Sequence, residues 1–407
     1  MAYTLPFGEL YASINMRNFT YYTPTKVVFG KNAELQITKL IQAEKCRKVL
    51  VHFGGKSAKE SGLLDRIYHS LNEAGIDYVS LGGVVPNPRL SKVYEGIALC
   101  KQEKVDFLLA VGGGSVIDSA KAIGYGIANE CDVWDLYSKK SVPTGCLPVG
   151  AVLTIAAAGS EMSDSSVITN DTTWQKRGLS TDYARCRFAV LNPELTYTLP
   201  AYQTACGCVD ILMHTMERYF TTDKNAELTD EISEALMRTV LHNARVLVEN
   251  PRDYTARAEI MWAGSLAHNG LTGCGRTGDW ASHQLEHELS GMFDVAHGAG
   301  LAAIWGSWAR YVYQTNAERF ARFAAKVMGI SEGAGSTEQL ALEGIAAMER
   351  FYHEIGMPTS ISELGISLTE EQCRLLAYHC SFEGSRTIGG FQILNREDME
   401  QIYRLAR

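Results

Sequence analysis

The chain has no surplus of positive charge: Lys and Arg number 38 against 46 Asp and Glu, a formal net charge of -8. Nothing in it reads as a basic stripe, so nucleic acid and anionic membrane surfaces are not expected partners. No apolar run approaches the roughly 18 residues that a membrane-spanning helix needs. The opening MAYTLPFGELYASINMRNF has no basic start leading into an apolar core, so it does not read as a secretory leader. The 10 cysteines, at 46, 100, 131, 146, 186, 206, 208, 274, 373 and 380, form no C-x-x-C pair. A chain of this length needs no disulfide framework, and they read as reduced thiols of a cytoplasmic protein. Cys206 and Cys208, just ahead of Asp210, read as small buried hydrophobes rather than ligands. Internal repeats and low-complexity segments are also missing.

Two nucleotide signatures are incomplete. The turn Gly54, Gly55, Lys56, Ser57 ends like a triphosphate-binding loop, but Leu50 stands where the first glycine belongs. Gly112 and Gly114 lead to Ile117 where the standard dinucleotide fingerprint has its third glycine. An ordinary nucleotide triphosphatase and a standard Rossmann site are therefore not expected.

What is present is 407 residues, 46% hydrophobic and 21% charged, enough for two or three soluble domains with a large core. Strand-like runs at 25–30, 48–53, 78–81 and 106–111 alternate with helical patterns, the first helix running from the Gly54 turn to about Ala74 and others over 90–103 and 116–128. This alternation predicts a parallel sheet with helical crossovers. Further strands are expected near 146–152, 166–170 and 188–191. From about Pro200 apolar residues recur at helical spacing to the end. The expected division is an α/β dinucleotide-binding domain over 1–198, with 1–17 as an extension, and an all-helical metal-binding domain over 199–407.

Gly112, Gly113, Gly114 and Ser115 sit between a buried strand and a helix, where backbone amides and the helix dipole can hold a diphosphate. Asp118, one turn on, is placed to hydrogen-bond a cofactor amide. In the other turn Lys56, Ser57 and Lys59 carry no acid before Glu60. An acid there would bind a ribose 2′-hydroxyl and repel a 2′-phosphate; hydroxyl and ammonium groups favour the phosphate.

Three of only 10 histidines fall within positions 283–297. In DWASHQLEHELSGMFDVAHGAGL, Asp279, His283, His287 and His297 are candidates for holding a metal or moving a proton. His283 and His287 are four apart, as are Asp210 and His214, so each pair shares a helix face. Gly298 and Gly300 permit close backbone packing after His297. Each pair alone is explained by core histidines, but together with His297 they supply a metal's converging ligands. One carboxylate and three imidazoles suit iron(II) or zinc(II). Spacing alone leaves open which of His283 and His287 binds.

At these residues the chain resembles the iron-containing, or group III, alcohol dehydrogenases. The motifs that carry the resemblance are TPTKVVFG near the start, PNP at 86–88, VGGGSVIDSAKAI at 111–123, GSE at 159–161, DILMHTMERY at 210–219, DWASHQLEHELSG and DVAHGAGLA. The DWASHQLEHELSG wording and the FGGKSAK turn are most similar to the butanol dehydrogenase and NADPH-dependent aldehyde reductase branch. The resemblance implies a dehydroquinate synthase-like fold with the active site between its two parts. It implies a divalent metal, Fe2+ or Zn2+, held by Asp210, His214, His283 and His297, with His287 beside it as a proton relay. It implies cofactor contacts from Gly55, Lys56 and Ser57 around the adenosine ribose. Gly112, Gly113, Gly114, Ser115 and Asp118 would meet the diphosphate and nicotinamide side, and Thr154, Lys176 and Leu199 would also contact the cofactor. The family's usual aspartate for NAD is missing from the turn, which favours NADP(H). In the family's TLPATGSE segment this chain has Ala156 and Ala158 in place of proline and threonine, which removes a hydroxyl contact to the cofactor. The resemblance further implies a homodimer paired through the N-terminal strand.

The expected activity is metal-assisted hydride transfer between NADP(H) and a short- to medium-chain alcohol or aldehyde. Trp262, Trp280 and Phe293 are candidates for an apolar pocket. The competing reading is a metal- and NAD-dependent lyase or cyclase of the dehydroquinate synthase type. That would need a basic pocket for a phosphorylated sugar acid, and only Arg218 and Arg276 stand near the metal motifs. A non-catalytic binding module is disfavoured by the intact ligand set.

Overall fold

The computed structural model describes residues 16–407, so most of the expected N-terminal extension lies outside it. Six strands form one parallel sheet: β1 (Lys26–Phe29), β2 (Lys48–Phe53), β3 (Asp77–Leu81), β4 (Phe107–Gly112), β5 (Val149–Leu153) and β8 (Phe188–Leu191). Their spatial order is β1-β8-β5-β4-β2-β3. Register is set by pairs such as Leu50 with Leu108 and Ala110 with Ala151. The near-continuous apolar strands are explained by burial on both faces. Val49, Val51, Leu109 and Val111 pack on one side with Ile37, Leu63 and Ile67 of α1 (Ile37–Ala43) and α3 (Leu63–Glu73). Leu50, Leu108, Ala110 and Ala151 face the other side, against α4 (Leu90–Glu103) and α5 (Gly114–Ala128).

Three sequence expectations change here. The helix expected after the Gly54 turn is two, a short α2 (Ser57–Glu60) and α3, interrupted at Gly62 with φ of 71°. That left-handed turn suits glycine and cannot continue a helix. The strand expected near 166–170 is β6 (Ser165–Asn170), but it leaves the main sheet and pairs antiparallel with β7 (Gln175–Ser180), a strand not expected from sequence. The strand expected at 146–152 starts later, at Val149.

A short helix α6 (Val133–Tyr137) precedes β5. After β8 the chain is helical: α7 (Ala201–Tyr219), α8 (Glu227–Glu249), α9 (Tyr254–His268), α10 (Ala281–Phe293), α11 (His297–Val312), α12 (Ala317–Lys326), α13 (Thr337–Glu354), α14 (Glu370–Cys380) and α15 (Arg396–Ala406). Helix α7 is the axis of this half, buried almost all round from Ala205 onward. It receives α11 so closely that a Cβ on Gly298 would overlap the Cys206 carbonyl oxygen. Among the described residues no helix is long and apolar enough to cross a membrane, and all ten cysteines are free thiols.

Candidate active site

Strands β2, β4 and β5 all end towards one edge of the sheet, where parallel α/β folds bind their ligands. A cleft of about 1060 Å³ opens there, lined on one side by Gly113, Gly114 and Ser115 and on the other by α7, α10 and the start of α11. Gly113 caps α5, its carbonyl accepting from Val116 and Ile117, while the Gly114 and Ser115 N–H groups at the helix start have no intrahelical acceptor.

Asp210 and His214 come from one face of α7, His283 from α10 and His297 from the first residue of α11. Asp210 Oδ1 lies 3.2 Å from His214 Nδ1, 3.6 Å from His283 Nε2 and 3.7 Å from His297 Nε2. Asp210 Oδ1, His214 Nδ1 and His283 Nε2 are buried without a hydrogen-bond partner. Buried polar atoms are rarely left unpaired, and these converge on one point. A divalent cation fits that donor set, because it is the one occupant that accepts lone pairs from all of them.

Two glutamates absent from the sequence reading hold the imidazoles. The His283 ring gives its Nδ1 proton to Glu217 at 2.9 Å, and the same carboxylate accepts the His283 backbone N–H at 2.8 Å. The His297 ring gives its Nδ1 proton to Glu286. Each Nε2 lone pair is thereby turned towards Asp210, the usual carboxylate–histidine–metal arrangement. Glu286 also lies 3.5 Å from Lys176 Nζ and accepts from Ser290. Glu286, His287 and His297 form a second group with ligand-like spacing, but Glu286 is already spent on these three partners, so the first group is the better site. The missed signal was an acid three residues after a histidine on each helix, Glu217 after His214 and Glu286 after His283.

Electrostatics follow from burial and these partners. Burial, then the neighbouring His268 and His283, hold His214 well below the usual imidazole range, so it stays neutral. Burial also pulls on His283, but the neighbouring Asp210 and Glu217 carboxylates outweigh it and raise the ring to about 9. Burial works against the Glu286 carboxylate, but its hydrogen bond from His297 and the nearby Lys176 ammonium hold it well below the usual carboxylate range, so it stays ionised. His287 lines the cleft with its ring 5.8 Å from that of His297, and burial keeps it neutral.

The cofactor candidates divide. Gly113, Gly114, Ser115, Asp118 and Lys176 line the cleft; Gly55, Lys56, Ser57, Gly112, Thr154 and Leu199 do not. The Gly54 turn stands behind the cleft edge, its Gly54 carbonyl accepting from Gly83 next to the lining Val84. Asp118 accepts from Ser160 Oγ at 2.5 Å and from Val167 N at 2.9 Å, so it ties down the 159–165 loop as well. Lys121 completes that tie by donating to the carbonyls of Ser160, Ser163 and Ser165. Lys176 donates to Asn87 at 3.0 Å besides its pairing with Glu286. Ala158 lines the cleft without a hydroxyl.

Asp279 is not part of the site. Its carboxylate accepts from the backbone N–H groups of Ala281, Gly390 and Phe391, all at 2.8–3.0 Å, and fastens α10 to the 388–394 loop. Of the apolar candidates Trp280 lines the cleft, while Trp262 lies 39% exposed against Phe29, and Phe293 is outside the lining.

Comparison with known proteins places this geometry. Residues 24–193 match the model described as iron-containing alcohol dehydrogenase, and residues 204–407 match that of the Fe-containing alcohol dehydrogenase family, C-terminal. The chain belongs to the iron-containing alcohol dehydrogenase family. It is 39% identical over 391 residues to the probable NADH-dependent butanol dehydrogenase 1 of Bacillus subtilis, covering 96% of this chain and 100% of that one. It is 36% identical over 355 residues to an NADPH-dependent aldehyde reductase of Escherichia coli, covering 86% and 90%. The crystal structure of NADH-dependent butanol dehydrogenase A from Thermotoga maritima superposes with a TM-score of 0.92 at 40% identity, covering 96% and 99%. As a member of this family the chain is an oxidoreductase acting on CH–OH groups, and these named relatives give no support to the lyase or cyclase reading.

Proposed function

We propose that this iron-type alcohol dehydrogenase moves hydride between a nicotinamide dinucleotide and a short- to medium-chain alcohol or aldehyde, with one divalent cation held by Asp210, His214, His283 and His297. The observation that carries the reading is the set of three imidazole nitrogens within 3.7 Å of one buried carboxylate oxygen, in the wall of a cleft shared with the Gly113–Ser115 turn. When bound, the cation supplies Lewis acidity towards the substrate oxygen and the dinucleotide supplies or accepts hydride. Iron(II) and zinc(II) both suit the donors. The chain itself does the rest. Glu217 and Glu286 fix the ring orientations, and neutral His287 gives or takes the alcohol proton at the cleft wall. The Gly113–Ser115 amides receive diphosphate, with Asp118 and Lys176 alongside, and the boundary between the two parts falls at 198/199.

For the dinucleotide we favour NADP(H), because Gly55, Lys56 and Ser57 offer donors and no acid to a 2′-phosphate. NAD(H) is the second reading, favoured by the names of the Bacillus and Thermotoga relatives. Thr154 and Leu199 enter this proposal as supports of the cofactor-binding loops. The test is to purify without chelator, measure bound metal, and compare NADPH with NADH across an aldehyde panel. No nicotinamide-linked turnover by metal-loaded protein would end the proposal.

A further inference from the structure

The stretch just ahead of β1 does not stay with the sheet. From Met16 to Tyr21 it lies on the helical half, running along the loop between α9 and α10 in the opposite direction. The Arg17 backbone N–H donates to the Gly275 carbonyl at 3.1 Å, and its guanidinium pairs with Asp223 at 2.6 Å. Asp223 also accepts from the Thr277 backbone N–H at 2.7 Å, so the ion pair is tied to the same loop. Met16 packs so near Gly275 that a Cβ there would lie 2.6 Å from its Cγ. At the other end Asn269 donates to the Tyr21 hydroxyl at 3.2 Å, and the Tyr21 ring lies beside Gly270. Phe19 and Thr20 fall between these fastenings, and both line the cleft.

The wall they face is mostly backbone. Gly270, Gly273, Cys274 and Gly278 line it, and the long side chain among them, Arg276, is turned to Asp230 and Ser233. The loop has little room for more bulk. Gly270 has a φ of 97°, which side chains disfavour, and a Cβ on Gly278 would lie 2.8 Å from Trp280 Nε1. Trp280 ends this wall on the inside, its ring 6.1 Å from that of His214. A branch of the cleft therefore leaves the metal-site donors along this loop, and its width is set from the side of the strap. Phe19 supplies the bulk there. Its ring is 53% exposed, so it is not held by the core. Because the strap is fastened on both sides of it, the ring acts as a fixed stop.

We propose that Phe19 is a specificity-determining residue: its ring closes the outer end of the substrate branch and limits the tail length of the alcohol or aldehyde, making short, unbranched substrates the preferred class. This rests on the dehydrogenase reading. A tail too long for the branch must push the ring and its strap aside, and crowding of that kind costs about tenfold or more in binding. The loss falls on the long members of a series, so it is read as a ratio between chain lengths.

The test measures kcat/KM for 1-alkanals of three to eight carbons. In the wild type it falls beyond a limiting length. In Phe19→Ala the limit moves to longer chains, and the octanal-to-propanal ratio rises about tenfold. Phe19→Trp lowers the ratio, and Arg17→Ala, which undoes one fastening, raises it by less than Phe19→Ala. These two variants carry the test if Phe19→Ala does not fold. Calorimetric titration of hexanamide and propanamide into the protein as purified gives an activity-independent reading, because an amide carbonyl resembles the aldehyde and accepts no hydride. Phe19→Ala gains affinity for hexanamide relative to propanamide. Equal ratios in wild type and variants would overturn the stop, as would a ratio that falls in Phe19→Ala, which would make the ring a surface that holds the tail. If no aldehyde is turned over, the dehydrogenase reading fails and the amide titration alone decides the role of Phe19.

Discussion

Asp210 carries the site, because its Oδ1 faces three imidazole nitrogens and has no hydrogen bond of its own. Removing one of those imidazoles leaves too few donors for a tetrahedral or octahedral ion. His283→Ala is therefore expected to lose bound metal and turnover together, read by elemental analysis and the nicotinamide absorbance; a fully active metal-free variant would end the idea. Glu217→Gln and Glu286→Gln should act more mildly, weakening metal affinity about 10- to 100-fold, because they orient ligands without being ligands. Competition with a chromophoric chelator measures that difference. The same residues set a pH dependence. In the metal-free protein His283 is held up to about 9, so below that pH a proton occupies the lone pair a cation needs. Metal entry must then expel it. Uptake at pH 7.5 should release about one proton per ion, and apparent affinity should climb about tenfold per pH unit from 7 towards 9 before levelling. A flat profile would refute the assignment of that proton to His283.

At the scale of elements, the four ligand candidates were legible because two i,i+4 pairs advertise helix faces before any fold is known. Asp279 was misplaced for a related reason. It also stands four before His283, but Trp280 takes a left-handed φ of 67° and α10 starts only at Ala281, so 279 is off the helix face. Its three backbone donors give it a structural role. Asp279→Ala should cost about 1–3 kcal/mol in denaturant unfolding, the usual penalty for stranding buried donors, with metal content retained; lost metal in a folded variant would return it to the site. Strands β2 and β4 were legible from apolar character on both faces, but β7 was not, because QKRGLS has little of it. Its pairing with β6 makes it a strand, and that pairing brings Lys176 to Glu286. Glu217 and Glu286 escaped notice because an acid on an amphipathic helix usually faces water.

For the whole molecule, the division into sheet and bundle was readable from the change of period near residue 200, whereas the cleft they share was not, since it depends on how α7 meets the loop after β5, where Gly207 abuts the Ala156 carbonyl. The sheet also leaves a question that one chain does not answer. β1 is the outermost strand and pairs only with β8 among the described residues. Its outer edge therefore presents unpaired backbone groups, which proteins cover, charge or pair with another chain. At its end Phe29 is 42% exposed and packs edge-on against Trp262, itself 39% exposed, so the edge carries exposed apolar surface as well as the exposed Lys26. Pairing with a second copy covers both features, because two such edges can meet about a twofold axis. The expected solution species is a homodimer, with a light-scattering mass about twice the 44.8 kDa of one chain. Val27→Pro should shift it towards the monomer if β1 is the joint, since the N–H groups of Lys26 and Gly30 go to Arg187 and Leu191 and that of Val27 therefore faces the outer edge. A wild-type mass of one chain at micromolar concentration would leave the β1 edge to be covered from within.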